Sequence, residues 1–140
     1  MIAVIDYGLG NLKSVHKAFK LLGYESKITK NPKEILDSQA IVFPGVGSFG
    51  DCMTELDSRN LISPIYKSIK SGKFFLGICL GLQILFNKSE ESPGVEGLNI
   101  IDGTISKIKF GDDLKVPHMG WNKICLLYTS PSPRDRQKSR

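Results

Sequence analysis

Apolar residues along the first 86 positions alternate between short unbroken runs and longer stretches spaced by three and four. Ile2 to Ile5 is such a run, ending at Asp6. After the turn Asp6-Tyr7-Gly8-Leu9-Gly10, Asn11 is placed to cap a helix on which Leu12, Val15, Phe19 and Leu22 share a face, and Gly23 stands where a left-handed stop belongs. Tyr24 to Ile28 predicts a second strand, more polar and so nearer an edge. Asn31-Pro32 opens a short helical turn through Leu36, and Ala40 to Phe43 reads as a buried strand. Met53 and Leu56, then Ile62, Ile65 and Ile69, predict one or two amphipathic helices interrupted near Asn60 and terminated at Gly72. Phe74-Phe75-Leu76 is the next strand. It leads into Gly77-Ile78-Cys79-Leu80-Gly81 and a helix carrying Leu82, Ile84, Leu85 and Phe86. Asn87 to Gly97 is polar and reads as a loop; Leu98 to Ile101 and Thr104 to Ile108 predict a hairpin around Asp102-Gly103, and Asp112-Asp113 a further turn.

Strands alternating with helices predict an α/β fold, a doubly wound and mostly parallel sheet with helices on both faces and right-handed crossovers. Ligands of such sheets bind at the carboxyl ends of the strands. Asp6, Pro44 to Gly47 and Cys79 all fall on that edge.

Charge changes the picture only at one end. The formal charge is +5, but residues 126–140 hold Arg134, Arg136, Lys138 and Arg140 against Asp135, a net +3, which leaves +2 for the first 125 residues. A nearly neutral body gives a nucleic-acid partner no electrostatic footprint. Domain organisation follows the same line: 1–125 as a globular unit, and 126–140, with Pro131, Pro133 and high charge, as a disordered tail. The change is abrupt, as in appended or frame-shifted sequence. No apolar run has the length of a membrane-spanning helix and no basic segment leads into a signal-like core, so the expectation is a cytoplasmic protein without a membrane partner. Cys52, Cys79 and Cys125 are odd in number and far apart, which predicts neither a disulfide framework nor a zinc site.

The chemistry concentrates at Cys79. A cysteine at the centre of G-x-C-x-G, between a strand and a helix, has the form of a nucleophile elbow in its thiol version. The glycines remove β-carbons where strand and helix approach, the sulfur is exposed at the amino end of the next helix, whose dipole favours the thiolate, and the Leu80 N–H is half of an oxyanion hole. The competing reading is a buried structural cysteine between close-packed glycines. Pro44-Gly45-Val46-Gly47-Ser48-Phe49-Gly50 places three glycines in seven residues after a strand. A phosphate cradle lacks the Walker lysine and hydroxyl, a plain strand-to-helix loop needs no chemistry, and an oxyanion-binding peptide fits if this strand lies beside that of Cys79. Gly8-x-Gly10 opens like a dinucleotide fingerprint, but Lys13 holds the third glycine position.

GICLGLQ at 77–83 resembles class I, triad-type glutamine amidotransferases. Together with PGVGSFG at 44–50, KVPHMGWN at 115–122, DYGLGN at 6–11 and PGVEGL at 93–98, it resembles the glutaminase subunit of imidazole glycerol phosphate synthase, over residues 1 to about 124. The resemblance implies a flavodoxin-like sheet, incomplete at the carboxyl end. It makes Cys79 the nucleophile on the glutamine amide. Leu80 N–H and the backbone of Val46 and Gly47 become the oxyanion hole, after a peptide flip that switches activity on. Gln83 and Glu91 hold glutamine, and Asn11 and Trp121 face a cyclase subunit that receives ammonia in a heterodimer of histidine biosynthesis. No metal or organic cofactor is implied. The sequence departs from the family in its base: the expected His-x-Glu pair is missing, since His16 and His118 are followed two residues on by Ala18 and Gly120. Two rivals are a related glutaminase, of the anthranilate synthase or pyridoxal phosphate synthase kind, and a partner-binding module without turnover. VPHMGWN separates the first and the missing pair favours the second.

Overall fold

The computed structural model describes residues 1–108, together with Gly120, Trp121 and Lys123. The chain divides into two units, Met1–Lys107 and Ile108–Arg140. His118, Cys125, the turn at Asp112-Asp113 and the tail from 126 lie outside the described residues; of the motif at 115–122 only Gly120 and Trp121 are described, both exposed.

The first unit runs β1 (Ile2–Ile5), α1 (Leu12–Leu21), β2 (Ser26–Thr29), α2 (Pro32–Asp37), β3 (Ala40–Gly45), α3 (Phe49–Ser58), α4 (Ile62–Lys70), β4 (Phe74–Cys79), α5 (Leu80–Gln83), β5 (Lys88–Ser89) and β6 (Thr104–Ile105). Strands β1 to β4 form one parallel sheet in the order β2-β1-β3-β4, with Ile2 opposite Ser26 and Ala40, and Ala40 opposite Phe74. The chain thus starts mid-sheet and winds outward in both directions, and the polar strand β2 is at an edge.

Alternation along the strands sorts residues to two faces. Ala3, Ile5, Ile41 and Phe43 join one buried cluster with Ile35 of α2, Cys52, Met53 and Leu56 of α3 and Ile65 of α4. Fully burying side chains such as Leu56 or Ile65 stabilises the fold by about 1.5–3 kcal/mol each. Val4 and Val42 are buried on the opposite face, where α1 packs along β1 and β2. That face is covered only in part: on edge strand β4, Phe74 is 84% exposed, Leu76 50% and Ile78 38%.

The helix ends follow the expected signals. Asn11 accepts from Ser14 N–H and Asn31 from Lys33 N–H, while α3 has a cap that the sequence reading did not name, Ser48, which accepts from Asp51 N–H. Gly23 closes α1 at φ +79°, donating to Lys20 O while Tyr24 N–H reaches Phe19 O. Asn60, at φ +57°, separates α3 from α4.

Three expectations fail, all after Cys79. The helix expected through Phe86 ends at Gln83, because Leu85 and Phe86 donate back three residues and the carbonyls of Ile84 and Leu85 turn to other partners. Those partners are Leu98, Ile100 and Ile101, so the expected hairpin of 98–101 with 104–108 does not form. Instead β6 pairs in parallel with β5, inside the stretch read as loop, and Gly103 N–H donates to Asn87 Oδ1.

Candidate active site

Cys79 stands at the carboxyl end of β4 with φ +55° and ψ −114°, a backbone conformation rare for any residue but glycine, and its side chain is exposed. The glycines around it make this corner possible. A β-carbon on Gly77 would lie 2.4 Å from Gly81 O, one on Gly81 1.9 Å from Phe43 O, and one on Gly45 2.7 Å from Gly81 N. Strand β3, the turn and α5 therefore touch backbone to backbone, and the structural reading of a buried cysteine is excluded. As α5 is a single turn, little dipole stands behind the sulfur. What remains is the Leu80 N–H, which as the first of the helix has no acceptor within it.

The neighbour expected from the glycine loop is in place. Phe43 pairs with Gly77, Pro44 with Ile78 and Gly45 with Cys79, so the backbone at 45–47 leaves the sheet beside the sulfur. Val46 is half-exposed and Gly47 has φ +99°. The Val46 N–H donates to the Tyr7 hydroxyl at 3.1 Å, and that hydroxyl donates to Val46 O at 3.2 Å. Burial pushes the Tyr7 phenol up to about 12 and the Cys52 thiol, beside it, also up to about 12. Tyr7 and Cys52 carried no signal beyond their place near the sheet's carboxyl edge, and sequence reasoning missed both.

The other expected residues are placed unevenly. Gln83 is four residues past Cys79 on α5, half-buried. Glu91 Oε2 accepts from Phe49 N–H at 2.9 Å, and Ser92 Oγ, not singled out before, accepts from Gly50 N–H at 2.9 Å, so both tie their loop to the start of α3. Asn11 caps α1 and is exposed; Trp121 is fully exposed within the second unit. His16 Nδ1 shares a 2.9 Å hydrogen bond with Ser26 Oγ at the amino end of β2. Three strand spacings, about 14 Å, and the length of the sheet separate that point from the end of β4. His16 is a boundary side chain and no base for Cys79. Among the described residues no group of His, Cys, Asp and Glu is arranged to hold a metal ion, and no helix is long and apolar enough to cross a membrane.

Residues 3–137 match the family described as class-I glutamine amidotransferase. The chain belongs to that family. The chain is 46% identical over 136 residues to the imidazole glycerol phosphate synthase subunit HisH of Syntrophotalea carbinolica, covering 94% of this chain and 66% of that one. It is 47% identical over 130 residues to the subunit of the same name from Methanothermobacter thermautotrophicus, covering 93% and 64%. It therefore spans just under two thirds of the length of these curated relatives. Among solved structures, a crystal structure of a glutamine amidotransferase superposes with a TM-score of 0.66 at 18% identity, over 81% of this chain and 60% of that one, which shows a shared fold.

Proposed function

We propose that the chain belongs to the glutaminase subunit of an imidazole glycerol phosphate synthase, hydrolysing glutamine and passing ammonia to a cyclase subunit in the cytoplasm. The observation that carries this reading is Cys79: a strained, exposed thiol on an elbow, in register with Gly45 of the glycine loop. The likeness to HisH subunits at 46–47% identity supports the choice of pathway.

The chemistry runs through this chain's own atoms as far as the acyl-enzyme. The Cys79 thiolate adds to the side-chain amide carbon of glutamine, and the oxyanion is held by Leu80 N–H and by backbone donors at Val46 and Gly47. Ammonia departs with a proton, and water hydrolyses the glutamyl thioester. Gln83 and the second oxygen of Glu91 are the proposed contacts to glutamine, and Asn11 and Trp121 the proposed contacts to the cyclase. A closed path between subunits keeps ammonia from water. The base and acid that these steps need are not a His-x-Glu pair of these 140 residues, because the sequence has none. The second reading is a partner-binding module without turnover.

One experiment separates the two. The chain is added to a cyclase subunit, and binding and glutamine hydrolysis are both measured, beside a version extended with the remaining third of a relative. Glutaminase activity in the extended protein, abolished by Cys79→Ser with binding kept, supports the enzyme; full activity in Cys79→Ser removes the nucleophile assignment. Binding without turnover in both versions supports the module.

A further inference from the structure

The turn after β1 carries a buried phenol to which the proposed chemistry gives no part. Tyr7 is 0% exposed and stacks on Phe43 with ring centroids 4.9 Å apart. Its hydroxyl accepts from Val46 N–H and donates to Val46 O, so a single oxygen satisfies both backbone groups of one residue. In a parallel ladder the N–H and C=O of one residue turn to the same neighbouring strand, and those of the next residue to the other. Tyr7 thus continues with its side chain the ladder that β1 makes with β3. Val46 faces the β1 side, and Gly45 faces β4, where it pairs with Cys79. Because the peptide is planar and trans, the Gly45 carbonyl points opposite to the Val46 N–H. The peptide joining them shows an oxygen to the Cys79 side and its N–H to Tyr7. An oxyanion at Cys79 requires the reverse, a donor on the sulfur side.

We propose that Tyr7 is a positioning residue, a latch whose hydroxyl holds the peptide between Gly45 and Val46 with its N–H turned away from Cys79, so that breaking this bond frees the N–H to join Leu80 N–H at the oxyanion. The proposal rests on the reading of Cys79 as an acyl-transfer nucleophile. Gly45, without a β-carbon, is the pivot on one side of Val46, and Gly47, at φ +99°, flanks the other. Burial raises the phenol's pKa, so the hydroxyl keeps its proton and stays able to bridge Val46 across the neutral range.

The test compares the 140-residue chain with its Tyr7→Phe and Cys79→Ala variants. The probe is the γ-p-nitrophenyl ester of glutamate. The thiolate adds to the ester carbon, a C–S bond replaces the C–O bond, and p-nitrophenolate leaves without needing a protein acid, so acylation reads the oxyanion site alone. Iodoacetamide, which displaces iodide with no oxyanion, is the control. Loss of one net hydrogen bond from the latched form gives about a tenfold faster Cys79-dependent acylation in Tyr7→Phe. The iodoacetamide rate stays unchanged. Exchange of the Val46 amide quickens while the amides of Val4 and Val42 keep their protection, which reports that the variant is folded. Unchanged or slower acylation, or an equal rise with both reagents, overturns the latch. If no variant shows Cys79-dependent acylation, the 140 residues alone do not activate Cys79, the glutaminase reading is decided by the extended protein, and Val46 exchange decides the latch: quickened in Tyr7→Phe it sustains the hold of Tyr7 on that peptide, unchanged it overturns it.

Discussion

Gly81→Ala puts the packing of the elbow to a direct measurement. Its backbone conformation suits alanine, since Gly81 has no positive φ, so steric contact alone sets the cost. The added β-carbon would lie 1.9 Å from Phe43 O, where ordinary contact begins at 3.4 Å, so β3 and α5 must part by about 1.5 Å. Both partners are backbone and no rotamer relieves the clash. The penalty belongs at the upper end of overpacking, about 3 kcal/mol, against a domain stability of about 5–15 kcal/mol. In urea, with a slope near 2 kcal/mol/M, the unfolding midpoint falls by about 1.5 M. Gly94→Ala is the matched control, with nothing within 4 Å of the new carbon and only the strain of φ +83°, about 1 kcal/mol after the entropy lost by the unfolded chain is counted. If the two midpoints agree within about 0.2 M, backbone contact does not hold the elbow and the reasoning fails.

Two further perturbations read other parts of the fold. Cys52 and Tyr7 both have folded pKa values raised to about 12, from 9.0 and 10.0, so between those values the folded form holds protons that the unfolded form has lost. Their contribution is complete below about pH 9 and is lost as pH rises toward 12, by up to about 1.4 kcal/mol per pH unit for each group. Urea midpoints at about pH 8 and pH 11 measure this, and a flat profile would contradict the burial of the pair. On the outer row of β4, Phe74→Ser should change stability by less than about 0.5 kcal/mol while reducing binding of a hydrophobic dye and slowing aggregation. A loss above about 1.5 kcal/mol would mean that Phe74 is packed.

The elbow was readable because its physics is local: glycines two positions either side of Cys79 and an apolar run before it specify a strand that turns sharply. The three-and-four spacing of α1, the caps at Asn11 and Asn31 and the stop at Gly23 are local in the same sense. Where sequence reasoning failed, a distant partner decided. Leu98 to Ile101 has the pattern of a strand, but Leu98 is buried and its N–H goes to Ile84, across the chain. Glu91 reads equally well as a ligand for substrate or for a helix, and the structure adds the second, through Phe49 N–H. The bridge from Tyr7 to Val46 joins residues 39 apart, and no spacing rule announces a phenol that stands in for a strand.

The mutual contact of Gly45, Gly77 and Gly81 has a bearing on how this corner of the molecule can vary. A methyl group at 45 pushes against Gly81 N and Leu80 Cβ, and one at 77 or 81 pushes at the same seam from its other walls. Each intrusion is relieved by the same movement, so the first exacts nearly the whole loss and a second adds little, which makes their effects strongly non-additive. Single-step drift at any of the three is barred while Cys79 itself, facing solvent, is free to change. A descendant that had abandoned its thiol would still carry the glycines, as a mould outlasts the casting.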